Sequence, residues 1–348
     1  MKKLCIAVDL AGCPNRCRHC WLGHFKNGKL GIEEFKQVAE IFTSWKKEND
    51  CSELAFFSWW REPDFSDNYK RLWELEQELS SPNCAERFEL LSVWRASFDL
   101  EYARWAAKLK PKVCQITFFG AEQKTDWGFG RKGAFANNLA AVENLLKVGI
   151  APRFQIFLTK GCFGNRSLDL DKLLKLIYSR ELHKRCEAIG QKFEVFISGM
   201  APEGAAYDIE DYRIEESDIK LIPQSLIDIS REGTKLLGEP EYILHKRLLA
   251  NNSPPNLITN PPCLYITCNY DVYPNYASPG KAWLLGNLKT DGIEFVMNNF
   301  INENTVAMQT NKTMPISRLA QQYGMAESKK MYGDDSLVAR YLYQHLNQ

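Results

Sequence analysis

The sequence predicts an α/β protein built on a parallel sheet. Three observations carry this. Strand-length apolar runs recur six times before Gly199, and stretches with helical apolar spacing lie between most of them. Strands that alternate with helices pair in parallel through right-handed crossovers. After Gly199 the rhythm changes, and a turn-rich boundary precedes a hairpin, so a smaller α+β extension is expected at the C-terminal end.

The first strand is Leu4-Cys5-Ile6-Ala7-Val8. Ile32, Phe35, Val38, Ile41, Phe42 and Trp45 then recur at helical spacing, with Lys and Glu on the other face. Leu54 to Phe57 reads as a buried strand, and Leu72, Leu75 and Leu79 as the helix after it. Phe88 to Leu91 is the third strand, and Phe98 to Leu109 a helix closed before Pro111. Val113 to Phe119 is the clearest strand and ends at Gly120. Phe135, Leu139, Val142, Leu145 and Leu146 mark a helix capped near Gly149. Phe154 to Leu158 is the fifth strand, Leu170 to Ile177 a helix, and Phe193 to Ile197 the sixth strand. No glycine-rich fingerprint of the Rossmann or P-loop type opens any of the helices. Asn251 to Pro255 and Asn260-Pro261-Pro262 form the boundary, and Cys263 to Pro274 reads as a hairpin turning at Asn269 to Asp271. The expected division is a core over 1–205, a helical connection over 206–260 and an extension over 261–348.

Composition narrows the function classes. The chain has 348 residues, 45% hydrophobic and 25% charged, with a formal net charge of +1. That balance gives no electrostatic reason to expect nucleic acid or another polyanion as partner. The N-terminal apolar run is too short for a signal-peptide core, and no stretch is long and apolar enough to span a membrane. Eleven cysteines, mostly scattered singly, suit a reducing cytoplasm better than a disulfide scaffold.

The chemistry concentrates in Cys13-Pro14-Asn15-Arg16-Cys17-Arg18-His19-Cys20, directly after the first strand. Three thiolates at C-x3-C-x2-C are soft ligands for an iron–sulfur cluster or zinc. Three can hold three irons of a [4Fe–4S] cube and leave the fourth open, and an open metal position signals chemistry. A zinc site needs a fourth ligand at short spacing. His19 and His24 lie near, but no second C-x2-C pair exists.

The motif resembles the signature of the radical SAM enzymes. The resemblance implies a partial (β/α)6 TIM-type barrel, a [4Fe–4S] cluster on Cys13, Cys17 and Cys20, and S-adenosyl-L-methionine on the open iron. In the family the cluster's electron cleaves the sulfonium and yields a 5′-deoxyadenosyl radical, so an external donor such as a flavodoxin or ferredoxin is implied. His19 occupies the place of an aromatic residue near the adenine. Ser58-Trp59-Trp60-Arg61-Glu62-Pro63 stands where the family has Gly-Gly-Glu-Pro, which holds the methionine amine. Glu62 keeps the acceptor an ammonium group needs, while Trp60 and Arg61 replace both glycines. Trp127 to Gly133 reads as a glycine-rich loop in which Arg131 and Lys132 offer cations for the SAM carboxylate or an acidic substrate group. Gln155, with Lys160 after it, and Gly199 lie on or after the last two strands, where the family approaches ribose and adenine. Trp21, Trp59, Trp60 and Trp127 are expected at the mouth, where aromatic walls exclude water.

Cys263 to Asn275 resembles the start of a reduced SPASM or twitch extension. No cysteine follows Cys268, and two thiolates cannot ligate a cube. Unless Cys114, Cys162 or Cys186 completes a site, Cys263 and Cys268 are left as candidate hydrogen-atom donors or as small buried residues. The expected function is hydrogen abstraction from a small molecule, sugar-like or aminocyclitol-like, ending in oxidation, epimerisation or dehydration. Modification of a ribosomal peptide is the alternative, with no leader-binding domain expected ahead of Cys13. A zinc-stabilised binding protein is the reading outside catalysis.

Overall fold

The computed structural model describes residues 2–80, 90–163 and 168–347. β1 (Lys3–Val8) leads through a long loop into α1 (Ile32–Glu48). β2 (Glu53–Phe57), α2 (Tyr69–Leu79), α3 (Val93–Ala96) and α4 (Leu100–Lys108) follow. β3 (Cys114–Phe118) precedes α5 (Glu122–Phe129) and α6 (Ala134–Lys147). β4 (Pro152–Phe157) precedes α7 (Leu168–Ser179) and α8 (Leu182–Ala188), and β5 (Glu194–Ser198) closes this series. Beyond it lie α9 (Gln224–Ile229), β6 (Glu239–Pro240), α10 (Glu241–Leu248), β7 (Cys263–Ile266), β8 (Asp271–Pro274) and β9 (Gly286–Asn287). The chain ends with α11 (Gly292–Ile301), α12 (Val306–Thr313), α13 (Ile316–Tyr323), β10 (Met331–Tyr332) and α14 (Asp334–Leu346).

The strands form two principal sheets, ordered β2-β1-β7-β8-β9 and β3-β4-β5. β1 runs parallel to β2 on one side and to β7 on the other. β3, β4 and β5 are parallel throughout, as the alternating pattern requires. Among the described residues no strand pairing joins the two sheets. The third expected strand, Phe88 to Leu91, is only partly described. Phe88 and Glu89 lie outside the described residues, and Leu90 and Leu91 carry no strand pairing. The hairpin forms as expected, but β7 pairs with β1, so the extension continues the first sheet.

Each sheet is built from the side-chain periods of its neighbours. α1 buries Phe35, Val38, Ala39, Phe42 and Trp45 against the first sheet, with Glu33 and Glu34 in its first turn and Lys46 and Lys47 in its last. That charge order complements the helix dipole. In the second sheet Cys114, Ile116, Phe118, Phe154, Ile156, Val195 and Ile197 pack into a core with α6 and α7. Each fully buried aliphatic or aromatic side chain there contributes about 1.5–3 kcal/mol. The alternate residues Gln115, Thr117, Arg153, Gln155, Phe157, Glu194, Phe196 and Ser198 are only half-buried. A parallel sheet covered by helices on both faces reads as continuous apolar runs. Here one face is left polar, and it is the face that looks toward the cysteine loop. Among the described residues no helix is long and apolar enough to cross a membrane.

Candidate active site

The loops that leave the carboxyl ends of β1, β3 and β5 meet at one place. The stretch expected as a glycine-rich loop begins in helix: Trp127, Gly128 and Phe129 form the last turn of α5, and only Gly130 to Gly133 connect it to α6. The final carbonyls of a helix lack partners within it. Here the cysteine loop supplies them. Arg16 N–H donates to the Phe129 carbonyl at 3.1 Å and Arg18 N–H to that of Gly128 at 2.8 Å. Arg18 Nε donates to the Trp127 carbonyl at 3.1 Å. Gly130 follows at φ +60°, and a Cβ there would come within 2.3 Å of the Arg16 carbonyl oxygen. On the other side Ala205 N–H donates to the Cys20 carbonyl at 3.0 Å. Gly204, also at φ +60°, would put a Cβ 2.2 Å from the Trp21 carbonyl oxygen. Only glycine permits both approaches.

Within this cradle burial pushes the Cys13 thiol up to about 12, and the nearby Glu62 carboxylate adds to the effect. Cys17 is raised further, by burial first and then by Cys13 and Cys20, and Cys20 is raised by burial. Three thiols that feel one another and resist ionising need a cationic group before they become thiolates. A metal cluster is such a group. Among the described residues no three His, Cys, Asp or Glu side chains gather for a single metal ion. A cube bound at three corners does not require such a set. His24 is engaged by the Cys17 carbonyl, 3.0 Å from its Nε2.

Glu62 stands beside the thiols. Its Oε1 accepts from Ser92 Oγ at 2.6 Å. Burial pushes its carboxyl up to about 7, against the hydrogen bonds from Ser92 and the Trp94 backbone. It lines a cavity of about 160 Å³ with Asn15, Gln115, Thr117, Arg131 and Asn138 among the other walls. The cavity therefore touches the cysteine loop, the loop after β2 and the polar face of β3. Arg131 is braced there, donating from Nε to Asn15 Oδ1 at 2.8 Å and from Nη1 to Asn137 Oδ1 at 2.6 Å. A carboxylate and a guanidinium bordering one cavity suit a zwitterionic amino-acid moiety.

Neither a protein-family model nor a curated protein matches the sequence. Solved structures do. Native anSMEcpe with bound AdoMet aligns over 99% of this chain and 100% of its own, at 13% identity and a TM-score of 0.53. Its complex with AdoMet and the Cp18Cys peptide aligns over 99% and 96%, at 15% identity and 0.53. The hexahistidine-tagged form with AdoMet gives 99% and 93%, at 13% and 0.55. The fold is that of the radical SAM enzymes.

Within the radical SAM fold the remaining expected residues separate into two groups. His19 stays with the site. Its ring lies 4.8 Å from those of Phe119 and Phe157 and 6.4 Å from that of Phe129. Its Nδ1 is buried without a hydrogen-bond partner, and burial lowers its pKa to about 4. Gln155 lies on the polar face and donates to Ser198 Oγ at 2.6 Å. Gly199 follows it, against Arg213 Nη1.

Ser58 and Trp60 are not among the cavity's walls. The Ser58 hydroxyl donates to Glu76 Oε1 at 2.6 Å. Trp60 is buried and stacks on Tyr265, ring centroids 5.1 Å apart. Lys160 pairs with Glu215 at 2.6 Å. Cys114, Cys162 and Cys186 sit in the core behind the second sheet, whereas Cys263 packs against the other core beside Cys5. Burial raises the Cys263 thiol. Cys268 lies at the hairpin turn with its Cβ packed on Gly28. Ser92, Asn15, Gln115 and Thr117 escaped sequence reading. Gln115 and Thr117 had a signal: they are the polar alternates inside the clearest apolar strand.

The aromatic surroundings of His19 make a prediction. A neutral imidazole with a lowered pKa contributes stability that is fully present above its ordinary value of 6.5 and lost as pH falls toward about 4. In metal-free protein His19→Phe is expected to fold normally and to lose that dependence, while His19→Ala costs about 2 kcal/mol through the hole it leaves. Denaturant unfolding at pH 7 and pH 5 checks both.

Proposed function

We propose that this chain is a radical SAM enzyme that removes a hydrogen atom from an unactivated C–H bond of a small polar molecule. The observation that carries the reading is the contact between the three-cysteine loop and the cavity bordered by Glu62 and Arg131. When bound, a [4Fe–4S] cluster supplies the electron that splits S-adenosyl-L-methionine into methionine and a 5′-deoxyadenosyl radical. Cys13, Cys17 and Cys20 would hold that cluster. Glu62, ionised, accepts from the methionine ammonium, and Arg131 takes the carboxylate. His19 and the aromatic rings beside it keep water from the reactive carbon. The two sheets are read as arcs of a partial barrel, with Gln155 and Ser198 on its inner side toward the nucleoside or the substrate. A polar inner face carrying Arg153, Glu194 and Gln155 favours a hydroxylated or charged substrate over an apolar one. A flavodoxin or ferredoxin is the expected electron donor.

Anaerobic reconstitution with iron and sulfide is expected to give a brown protein. With dithionite and S-adenosyl-L-methionine it should release 5′-deoxyadenosine, measured by chromatography. A colourless protein that holds zinc, or one that leaves the cofactor uncleaved, would sink the reading. A ribosomal peptide is the second substrate class, favoured by the peptide bound beside AdoMet in one structure of similar fold. Deuterium transferred into 5′-deoxyadenosine from labelled polyols or from labelled peptides separates the two.

A further inference from the structure

Arg61 stands where the Gly-Gly-Glu-Pro motif has its second glycine, directly before Glu62. A glycine there would bring no side chain at all, so the replacement asks what the guanidinium does. Its side chain is 5% exposed and that of its ion-pair partner Asp9 is 3% exposed. Nε donates to Asp9 Oδ2 at 2.7 Å, and Nη2 lies 2.6 Å from the same oxygen. Nη1 donates to the Phe25 carbonyl at 2.9 Å and Nη2 to the Lys26 carbonyl at 3.3 Å. Asp9 is where the chain leaves β1 for the cysteine loop, and Phe25 and Lys26 are where that loop returns. One fork-shaped cation from the β2 loop therefore ties both ends together.

The tie reaches the ligands. A Cβ on Gly12 would come within 2.8 Å of Arg61 Nη2, so the cation lies against the backbone one residue from Cys13. Asn27, next to Lys26, grips Cys13 itself. Cys13 N–H donates to Asn27 Oδ1 at 3.2 Å, and Asn27 Nδ2 donates to the Cys13 carbonyl at 3.0 Å. Lysine could not replace the fork, because its ammonium is a point charge on a flexible stem. Arginine is also cationic at any working pH. A buried cation beside a cluster favours the form that has gained an electron, and a buried carboxylate disfavours it.

We propose that Arg61 is a positioning residue: it closes the neck of the cysteine loop and, against Asp9, sets the reduction potential of the cluster that loop would hold. This rests on the radical SAM reading. The step concerned is the uptake of one electron from the external donor, which lowers the cluster's charge by one unit. No bond breaks and no proton moves.

The test compares wild type, Asp9→Asn, Arg61→Lys and the double variant Arg61→Gln/Asp9→Asn. In Asp9→Asn the Arg61 guanidinium keeps the Phe25 and Lys26 carbonyls as acceptors, whereas Arg61→Gln alone would leave the Asp9 carboxylate buried without its cation and is avoided. Redox titration of the reconstituted proteins, followed by electron paramagnetic resonance without S-adenosyl-L-methionine, is expected to give a higher potential in Asp9→Asn. The double variant should fall back below Asp9→Asn, and Arg61→Lys should stay near wild type. In metal-free protein the amides of residues 10–27 should exchange with deuterium about tenfold faster in Arg61→Lys and in the double variant, since each loses charged hydrogen bonds. Equal potentials across loaded variants, or unchanged exchange, overturn the proposal. If a variant takes up no cluster, the exchange measurement still decides the neck. A wild type that takes up none removes the radical SAM reading instead, and the exchange arm stands apart from it.

Discussion

Cys17→Ala is expected to lose the cluster and to stop 5′-deoxyadenosine formation, a fall of about three orders of magnitude or more. The argument is one of ligand count and charge. Two thiolates cannot hold three corners of a cube; of the neighbouring imidazoles, His24 is engaged through Nε2 by the Cys17 carbonyl and His19 is enclosed by Phe119, Phe129 and Phe157. The fold should survive. In metal-free protein burial and the neighbouring Cys13, Cys20 and Glu62 keep the Cys17 thiol well above its ordinary range, so at pH 7 it is a neutral side chain. Alanine then costs about 1 kcal/mol. Cys186→Ala makes the opposite pattern. Its thiol is fully buried behind the second sheet, so it should melt earlier yet load iron normally. Iron content, visible absorbance, nucleoside release and thermal melts of the two variants separate a ligand from a packing residue. Retained 5′-deoxyadenosine formation in Cys17→Ala would falsify the assignment of the loop.

Glu62→Gln should weaken S-adenosyl-L-methionine binding by about 10- to 100-fold, the worth of one charge-assisted hydrogen bond. The amide keeps the size of the side chain and an oxygen for the Ser92 hydroxyl, so the loop should hold. The pH dependence is the sharper measurement. Burial raises the carboxyl from its ordinary 4.5 to about 7. A raised carboxyl contributes stability that is fully present below 4.5 and lost as pH climbs through about 7. Between those values metal-free wild type should lose on the order of 2 kcal/mol relative to Glu62→Gln, allowing for the residue's partial exposure. Affinity for the cofactor runs the other way. Only ionised Glu62 pairs with an ammonium group, so wild-type binding should tighten as pH passes about 7 and the variant's should stay flat. Isothermal titration from pH 6 to 8.5 (a range chosen to straddle the carboxyl) checks this. A flat wild-type profile would remove Glu62 from the amine site.

Much of the architecture was legible in apolar period alone. Five of the six expected parallel strands form with ends shifted by a residue or two, and the hairpin forms with its turn ahead of the expected Asn269 to Asp271, since Asp271 already opens β8. What escaped is non-local. Whether Trp127 to Phe129 belong to a loop or a helix depends on the cysteine loop capping their carbonyls, more than 100 residues away in sequence. Trp60 looked like a mouth residue because it sits in a motif loop, yet Tyr265 from β7 covers it. Nothing in local spacing says that β7 returns to β1. The three-cysteine loop stood out because its spacing is short and thiolate chemistry is specific, and the structure sets Cys17 close enough to Cys13 and Cys20 for each to oppose its ionisation. Ser92 was not, since one serine before a short helix looks like any N-cap.

The late arrival of β7 has a consequence for synthesis. β1 is made well before its second neighbour, which follows roughly 260 residues later. Until Cys263 to Ile266 are translated, one side of β1 is an open apolar edge, which invites pairing with another chain. The loop that would receive iron hangs from that same strand. On the proposed reading, metal loading before β7 is made would act on an unfinished support.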